Sequence, residues 1–126
     1  MSWQDYVDSQ LVGTGLVKWA AIIGLDGTIW AKSAEFDLTA VESKTFATNY
    51  SSVEFFQANG LVLAQTKFIF LSATDRVIRA KKNKLGLHCI KTETALIIAV
   101  YQEPTTPQEV ANVVEKLGDY LITYNL

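Results

Sequence analysis

From residue 61 onward the chain is a succession of short apolar or β-branched runs separated by very few residues. The runs fall at residues 61–65, 68–73, 77–81, 87–91 and 95–101, with links such as Thr66-Lys67 and Glu93-Thr94 between them. Links this short close antiparallel hairpins but cannot carry the crossover that parallel strands need, so this half is an antiparallel meander. Residues 17–25 add a buried strand, Asp26-Gly27 a hairpin turn, and residues 28–32 the returning strand.

Helix signals bracket these strands. Ser2 with Asp5 three residues later forms a capping-box pattern, and Trp3, Tyr6, Val7 and Leu11 then share one helical side until Gly13-Thr14-Gly15 ends the run. Thr39 with Glu42, and Ser51 with Glu54, repeat the pattern and predict two short helices, the second closing at Asn59-Gly60. The last helix carries the strongest signal: Thr106 as cap, Pro107 at its first position, Glu109 completing the box, then Val110, Val113, Val114, Leu117 and Leu121 in one stripe. Tyr120 falls on the shoulder of that stripe. The expected class is α+β: one domain over residues 1–126, a central antiparallel sheet of about six or seven strands, and helices packed against it.

Composition excludes several functions. Of 126 residues, 49% are hydrophobic and the net charge is −2, which is not the profile of a disordered chain. One cysteine, Cys89, rules out a disulfide framework, and one histidine, His88, rules out histidine-rich metal sites. Neighbours in a strand point to opposite faces, so His88 and Cys89 make no nucleophilic pair; His88 reads as a structural residue and Cys89 as a core residue. Gly13-Thr14-Gly15 lacks the third glycine of a dinucleotide fingerprint and the lysine of a P-loop. No paired carboxylates suggest acid–base chemistry, so neither an enzyme nor a cofactor is expected. An acidic isoelectric point near 5.3 argues against nucleic acid. No apolar run approaches the ~20 residues of a membrane span, and no signal-peptide core is evident, so the expected location is cytoplasmic.

Charge is segregated. Six of the eleven basic residues (Arg76, Arg79, Lys81, Lys82, Lys84 and Lys91) lie between residues 76 and 91, a stretch without a single acid. Such a segment reads either as a lysine-protected sheet edge or as a contact for an anionic or acidic partner. The aromatics form a second cluster of interest. Trp3 and Tyr6 are neighbours on one helix face, Trp30 lies in the second strand, and Tyr120 lies on the final helix. With both terminal helices on one sheet face, these rings gather into a patch suited to a stiff polyproline II ligand.

The motifs Ser2-Trp3-Gln4-Asp5-Tyr6-Val7-Asp8, Gly13-Thr14-Gly15, Leu25-Asp26-Gly27, Trp30-Ala31-Lys32-Ser33 and the final helix from Val113 to Leu121 occur in an order that resembles the profilin family, particularly its amoeboid and fungal members. The resemblance covers essentially the whole chain and is poorest around residues 34–57. It implies terminal helices on one sheet face and smaller helices on the other. It further implies binding of monomeric actin, of proline-rich proteins such as formins, and of anionic phosphoinositides. The polyproline groove would comprise Trp3, Tyr6, Trp30, Tyr120, Leu121 and Tyr124. The actin side would use Lys67, Arg76, Arg79, Lys81, Lys82, Lys91 and Lys116; phosphoinositides would meet Arg79, Lys81, Lys82 and Lys84. The chain departs from amoeboid relatives at Ser72, Arg79 and Ala80, where those carry arginine, tyrosine and glycine, and at Leu126, where many relatives end in an aromatic. These departures leave open a profilin that binds polyproline well and actin weakly. A small-ligand sensor or enzyme on a similar scaffold is the alternative of another class.

Overall fold

The computed structural model describes residues 2–126. Seven strands, β1 (Trp19–Gly24), β2 (Ile29–Lys32), β3 (Leu61–Leu63), β4 (Thr66–Ala73), β5 (Val77–Lys82), β6 (Leu85–Lys91) and β7 (Ala95–Gln102), form one antiparallel sheet in the order β2-β1-β7-β6-β5-β4-β3. The central strands β1 and β7 are apolar at nearly every position because both sheet faces are covered. Ala20, Ile22, Ala95, Ile97 and Ala99 pack under the N-terminal helical segment and α4 (Pro107–Thr123). Ala21, Ile23, Leu96, Ile98 and Val100 pack on the other face, toward the chain's two short middle helices, Ala40–Thr48 and Val53–Asn59. The expected layering is therefore realised, with His88 and Cys89 on opposite faces.

The N-terminal segment begins as expected. Ser2 Oγ accepts from the Asp5 amide at 3.1 Å, and Asp5 returns the bond to the Ser2 amide at 3.1 Å. These bonds hold the Asp5 carboxyl below its usual range. Only one turn is α-helical (α1, Trp3–Asp5); Tyr6–Leu11 winds as a π-helix and Val12–Thr14 as a 3-10 turn, ended by Gly15 at φ 79°. Of the middle helices, α2 (Ala40–Thr48) has the expected Thr39–Glu42 box. The expected Ser51–Glu54 box does not form before α3 (Val53–Asn59). Ser52 takes the cap position, which places Phe55 where a reciprocating carboxylate would have to be.

Two hairpin boundaries also differ from the sequence reading. β3 ends at Leu63, and the turn is Ala64-Gln65, with φ of 52° and 60°, not Thr66-Lys67. Neither residue favours that conformation. The Glu42 carboxylate compensates by accepting both turn amides, from Ala64 at 2.9 Å and Gln65 at 2.8 Å. The β5–β6 turn tightens onto Asn83-Lys84, with Asn83 at φ 53°, so β6 starts at Leu85 instead of residue 87.

Candidate ligand-binding surfaces

On the face that carries the termini, five aromatic rings run in series. Trp30 lies 4.9 Å from Trp3, Trp3 5.8 Å from Tyr6, Tyr6 6.2 Å from Tyr120, and Tyr120 5.0 Å from Tyr124, all as ring centroids in tilted pairs. Tyr120 and Tyr124 are exposed, Trp3 and Trp30 are half-buried, and Tyr6 is the buried centre of the row. Burial pushes the Tyr6 phenol upward, with the neighbouring Tyr120 hydroxyl adding to the effect, so it stays a protonated hydrogen-bonding group. Leu121, expected in the groove, is fully buried. It belongs to the α4 stripe that faces the sheet, and it supports the row from beneath without offering surface to a ligand. Leu126 does not close the row either. Its amide donates to Leu121 and its carbonyl accepts from Glu93, which turns the terminus back toward the β6–β7 connection and leaves Tyr124 as the last ring.

Trp30 reaches this face through a β-bulge. Ile22 pairs with Ala31 and Ile23 with Ile29, so Trp30 is the extra residue between two regular pairs. A bulge re-aims the side chain it carries. Here it lets Trp30 and its neighbour Ala31 pack on the same side, against strict alternation. The indole lies over Gly24, where an added Cβ would come within 3.0 Å of both Cζ2 and Nε1. The opposite wall is tied down by Gln4, whose side-chain amide donates to the Lys32 carbonyl at 2.9 Å and so couples the first helix to the edge strand.

The second surface lies on the same sheet face, beyond α4. Lys67 and Ile69 on β4 and Arg79 and Lys81 on β5 share it, through the register pairs Ile69–Lys81 and Ser72–Arg79 and the cross-strand neighbour His88. Ile69 and Leu71 are 70% and 57% exposed, so the surface mixes apolar and basic groups. Sequence reasoning named only its charges. The available signal was that residues 68–71 are apolar at every position, which implies a cover on both faces of an edge region.

The remaining basic residues are dispersed. The Arg76 guanidinium is held by Asp119 at 3.2 Å. Lys91 faces the other side of the sheet, lining a small cleft with Leu25 and Tyr50. Lys82 and Lys84 sit around the β5–β6 turn. Lys116 lies across α4, in a groove with Tyr6 and Tyr120. His88 is buried against Glu115, with Nε2 at 3.5 Å from Oε2 but outside hydrogen-bonding geometry. Trp19 is half-buried and packs against the core, stacked on Phe36 at 6.0 Å.

A sheet with both termini folded over one face, an aromatic row on that face and a basic–apolar patch beside it define a small two-surface binding module. The profilin family model matches residues 1–126. A Drosophila melanogaster profilin is 49% identical over 123 residues, covering 98% of each chain. The solved structure of Acanthamoeba castellanii profilin IA superposes with a TM-score of 0.94 at 45% identity, covering 99% of this chain and 100% of that one. Mouse profilin IIa, solved in complex with a double repeat from the FH1 domain of mDia1, shares the fold with a TM-score of 0.80 at 22% identity, over the full length of both chains. The chain belongs to the profilin family.

Proposed function

We propose that this protein binds monomeric actin through the basic–apolar patch and proline-rich segments, such as those of formins, along the aromatic row. It thereby places an actin monomer beside a growing filament end in the cytoplasm. The observation that carries the reading is the continuous row from Trp30 to Tyr124, with its flat faces and phenol and indole donors. Such a surface suits polyproline II helices, which are stiff and present free carbonyls. The mouse relative captured with FH1 repeats is consistent with it. Retention on immobilised polyproline, lost in Trp3→Ala, is the expected result; a wild-type protein that is not retained would sink the claim.

A second reading, strong polyproline binding with weak actin binding, draws support from the dispersal of the basic residues. Arg76 is engaged by Asp119, and Lys91 and Lys116 face elsewhere, which leaves Lys67, Arg79, Lys81 and Lys82 to meet an acidic partner. Titration of labelled monomeric actin separates the two readings. A Kd weaker than about 100 μM, about −5.5 kcal/mol, selects the second. The Arg79, Lys81, Lys82 and Lys84 hairpin is the part that would meet phosphoinositide headgroups, and binding to vesicles containing them should fall with Lys82→Glu.

A further inference from the structure

The basic–apolar patch contains a row that crosses four strands. Ile69 pairs with Lys81, Lys81 with Gly86, and Gly86 with Tyr101, so the four residues lie side by side on β4, β5, β6 and β7. Directly paired residues share a sheet face, which puts Tyr101 on the face of Lys81 and of Arg79, two positions earlier on β5. We propose that Tyr101 is the aromatic anchor of this patch: its ring seats an apolar side chain of the partner, and its hydroxyl joins Arg79 and Lys81 in binding a partner carboxylate. The inference rests on the reading of the patch as the actin-binding surface and names the residue on which the affinity of that surface turns.

Glycine at position 86 gives the ring its place. A Cβ there would collide with Cζ of Tyr101 and would lie 2.5 Å from the hydroxyl oxygen and 2.6 Å from Cε2. The hydroxyl end of the ring therefore lies across β6, in the space of the missing side chain, and points from β7 toward β5. The ring also packs against the apolar cluster beneath the terminal helices, which fixes its orientation. An aromatic laid over a cross-strand glycine covers exposed backbone, and cover alone would account for the pairing. Tyr101 is only half-buried, however, so part of the ring stays open to a partner. Burial raises the phenol above its usual range, with the Arg79 charge partly offsetting it, so the hydroxyl keeps its proton as a donor.

The neighbours supply the rest of a binding hot spot. Ile69 and Leu71 are exposed apolar residues on the adjoining strand. Arg79 and Lys81 have no ion-pair partner among the described residues. Tyrosine and arginine are the residue types enriched where interfaces concentrate their binding energy. Charges alone speed encounter more than they add affinity, so Lys67, Arg79 and Lys81 by themselves would steer an acidic partner without holding it. A tyrosine already fixed over Gly86 loses little conformational freedom on binding, and it offers a large apolar area with a donor at its tip. A partner carboxylate arriving there meets two cations and a phenol, and hydrogen bonds to a charged acceptor are the stronger kind.

Titration of labelled monomeric actin with the wild type, Tyr101→Ser, Tyr101→Phe and Gly86→Ala tests this, with retention on immobilised polyproline as the readout of the other surface. Tyr101→Ser should weaken actin binding about ten-fold or more, the scale of an interface hot spot. Tyr101→Phe, which keeps the ring and loses the hydroxyl, should weaken it about two- to ten-fold. Gly86→Ala, which lifts the ring off β6 without removing it, should also weaken it by about two-fold or more. All three should be retained on polyproline like the wild type. If Tyr101→Ser keeps its polyproline retention and binds actin within about two-fold of the wild type, the ring is cover for Gly86 and the proposal is overturned. Should Tyr101→Ser lose polyproline retention as well, which marks unfolding, Tyr101→Phe decides: a loss of about two-fold or more supports the anchor and a smaller one overturns it. A wild type that binds actin more weakly than about 100 μM overturns the actin reading of the patch, and the anchor falls with it.

Discussion

His88 should make this protein lose stability as the pH falls from about 7.5 to about 5. The imidazole is 1% exposed between β6 and α4, and its Nε2 has no hydrogen-bond partner among the described residues. Burial, and secondarily the charge of Arg79 on the adjacent strand, pushes its pKa down to about 4. In the unfolded chain the same group titrates near 6.5. The folded state therefore prefers the neutral ring, and below pH ~6.5 the unfolded chain binds the extra proton, so stability falls as pH drops toward 4 and levels out below it. With those two values, the loss between pH 7.5 and 5.0 is about 2 kcal/mol. Glu115 faces the ring but lies 3.5 Å away without a hydrogen bond, and the lowered carboxyls Asp5 and Asp26 affect stability only below about pH 4. Burial raises the Tyr50 phenol and the Cys89 thiol, which therefore remain protonated throughout. Urea unfolding at pH 7.5 and 5.0 should give a drop of about 2 kcal/mol for the wild type and under about 0.5 for His88→Leu. Equal drops in the two proteins, or an imidazole that titrates near 6.5 by NMR, would refute the reasoning.

Two further substitutions separate binding from stability. Gly24→Ala would set a Cβ 2.9 Å from Asp26 Oδ1 and 3.0 Å from the Trp30 indole, so it should disturb both at an overpacking cost of about 1–3 kcal/mol and weaken polyproline retention; unchanged retention, with Trp30 fluorescence shifted, would mean that Trp30 does not contact the ligand. Thr106→Ala removes the cap that accepts from the Glu109 amide at 3.2 Å and should cost about 1 kcal/mol in thermal or urea unfolding. It should leave polyproline affinity unchanged, because α4 begins at the end remote from Tyr120 and Tyr124.

Much of this architecture was legible because local and global signals agree. The terminal helix has cap, proline, reciprocal glutamate and apolar stripe in consecutive positions, and α4 begins and ends close to where they indicate. The strands were legible from short links and apolar runs. What stayed hidden depends on partners distant in sequence. The Ala64-Gln65 turn is held by a glutamate 22 residues earlier, and no turn propensity announces it. The π winding of Tyr6–Leu11 leaves the apolar spacing of Tyr6, Val7 and Leu11 looking like an ordinary helix. The candidate sites divide in the same way. Trp3 and Tyr6 could be paired from helix geometry, and Tyr120 joins them only once both terminal helices lie on one sheet face. The basic residues were grouped by sequence proximity, whereas strand parity sends Lys91 to the opposite face and helix angle sends Lys116 beside Tyr120. Leu121 belongs to the buried stripe by its spacing from Leu117, which was visible from the start.

The extra residue in β2 makes the aromatic surface depend on a count as well as on identity. Deleting Ile29 would leave every ring present in the chain and would let the β1–β2 hairpin close in regular register. That register would restore strict alternation, with Trp30 turned away from Ala31 and from Trp3. A change of this kind could keep the fold while silencing one of its two faces. Within a family that shares the fold, the spacing between Asp26-Gly27 and Trp30 is thus a better guide to the integrity of this surface than the tryptophan alone.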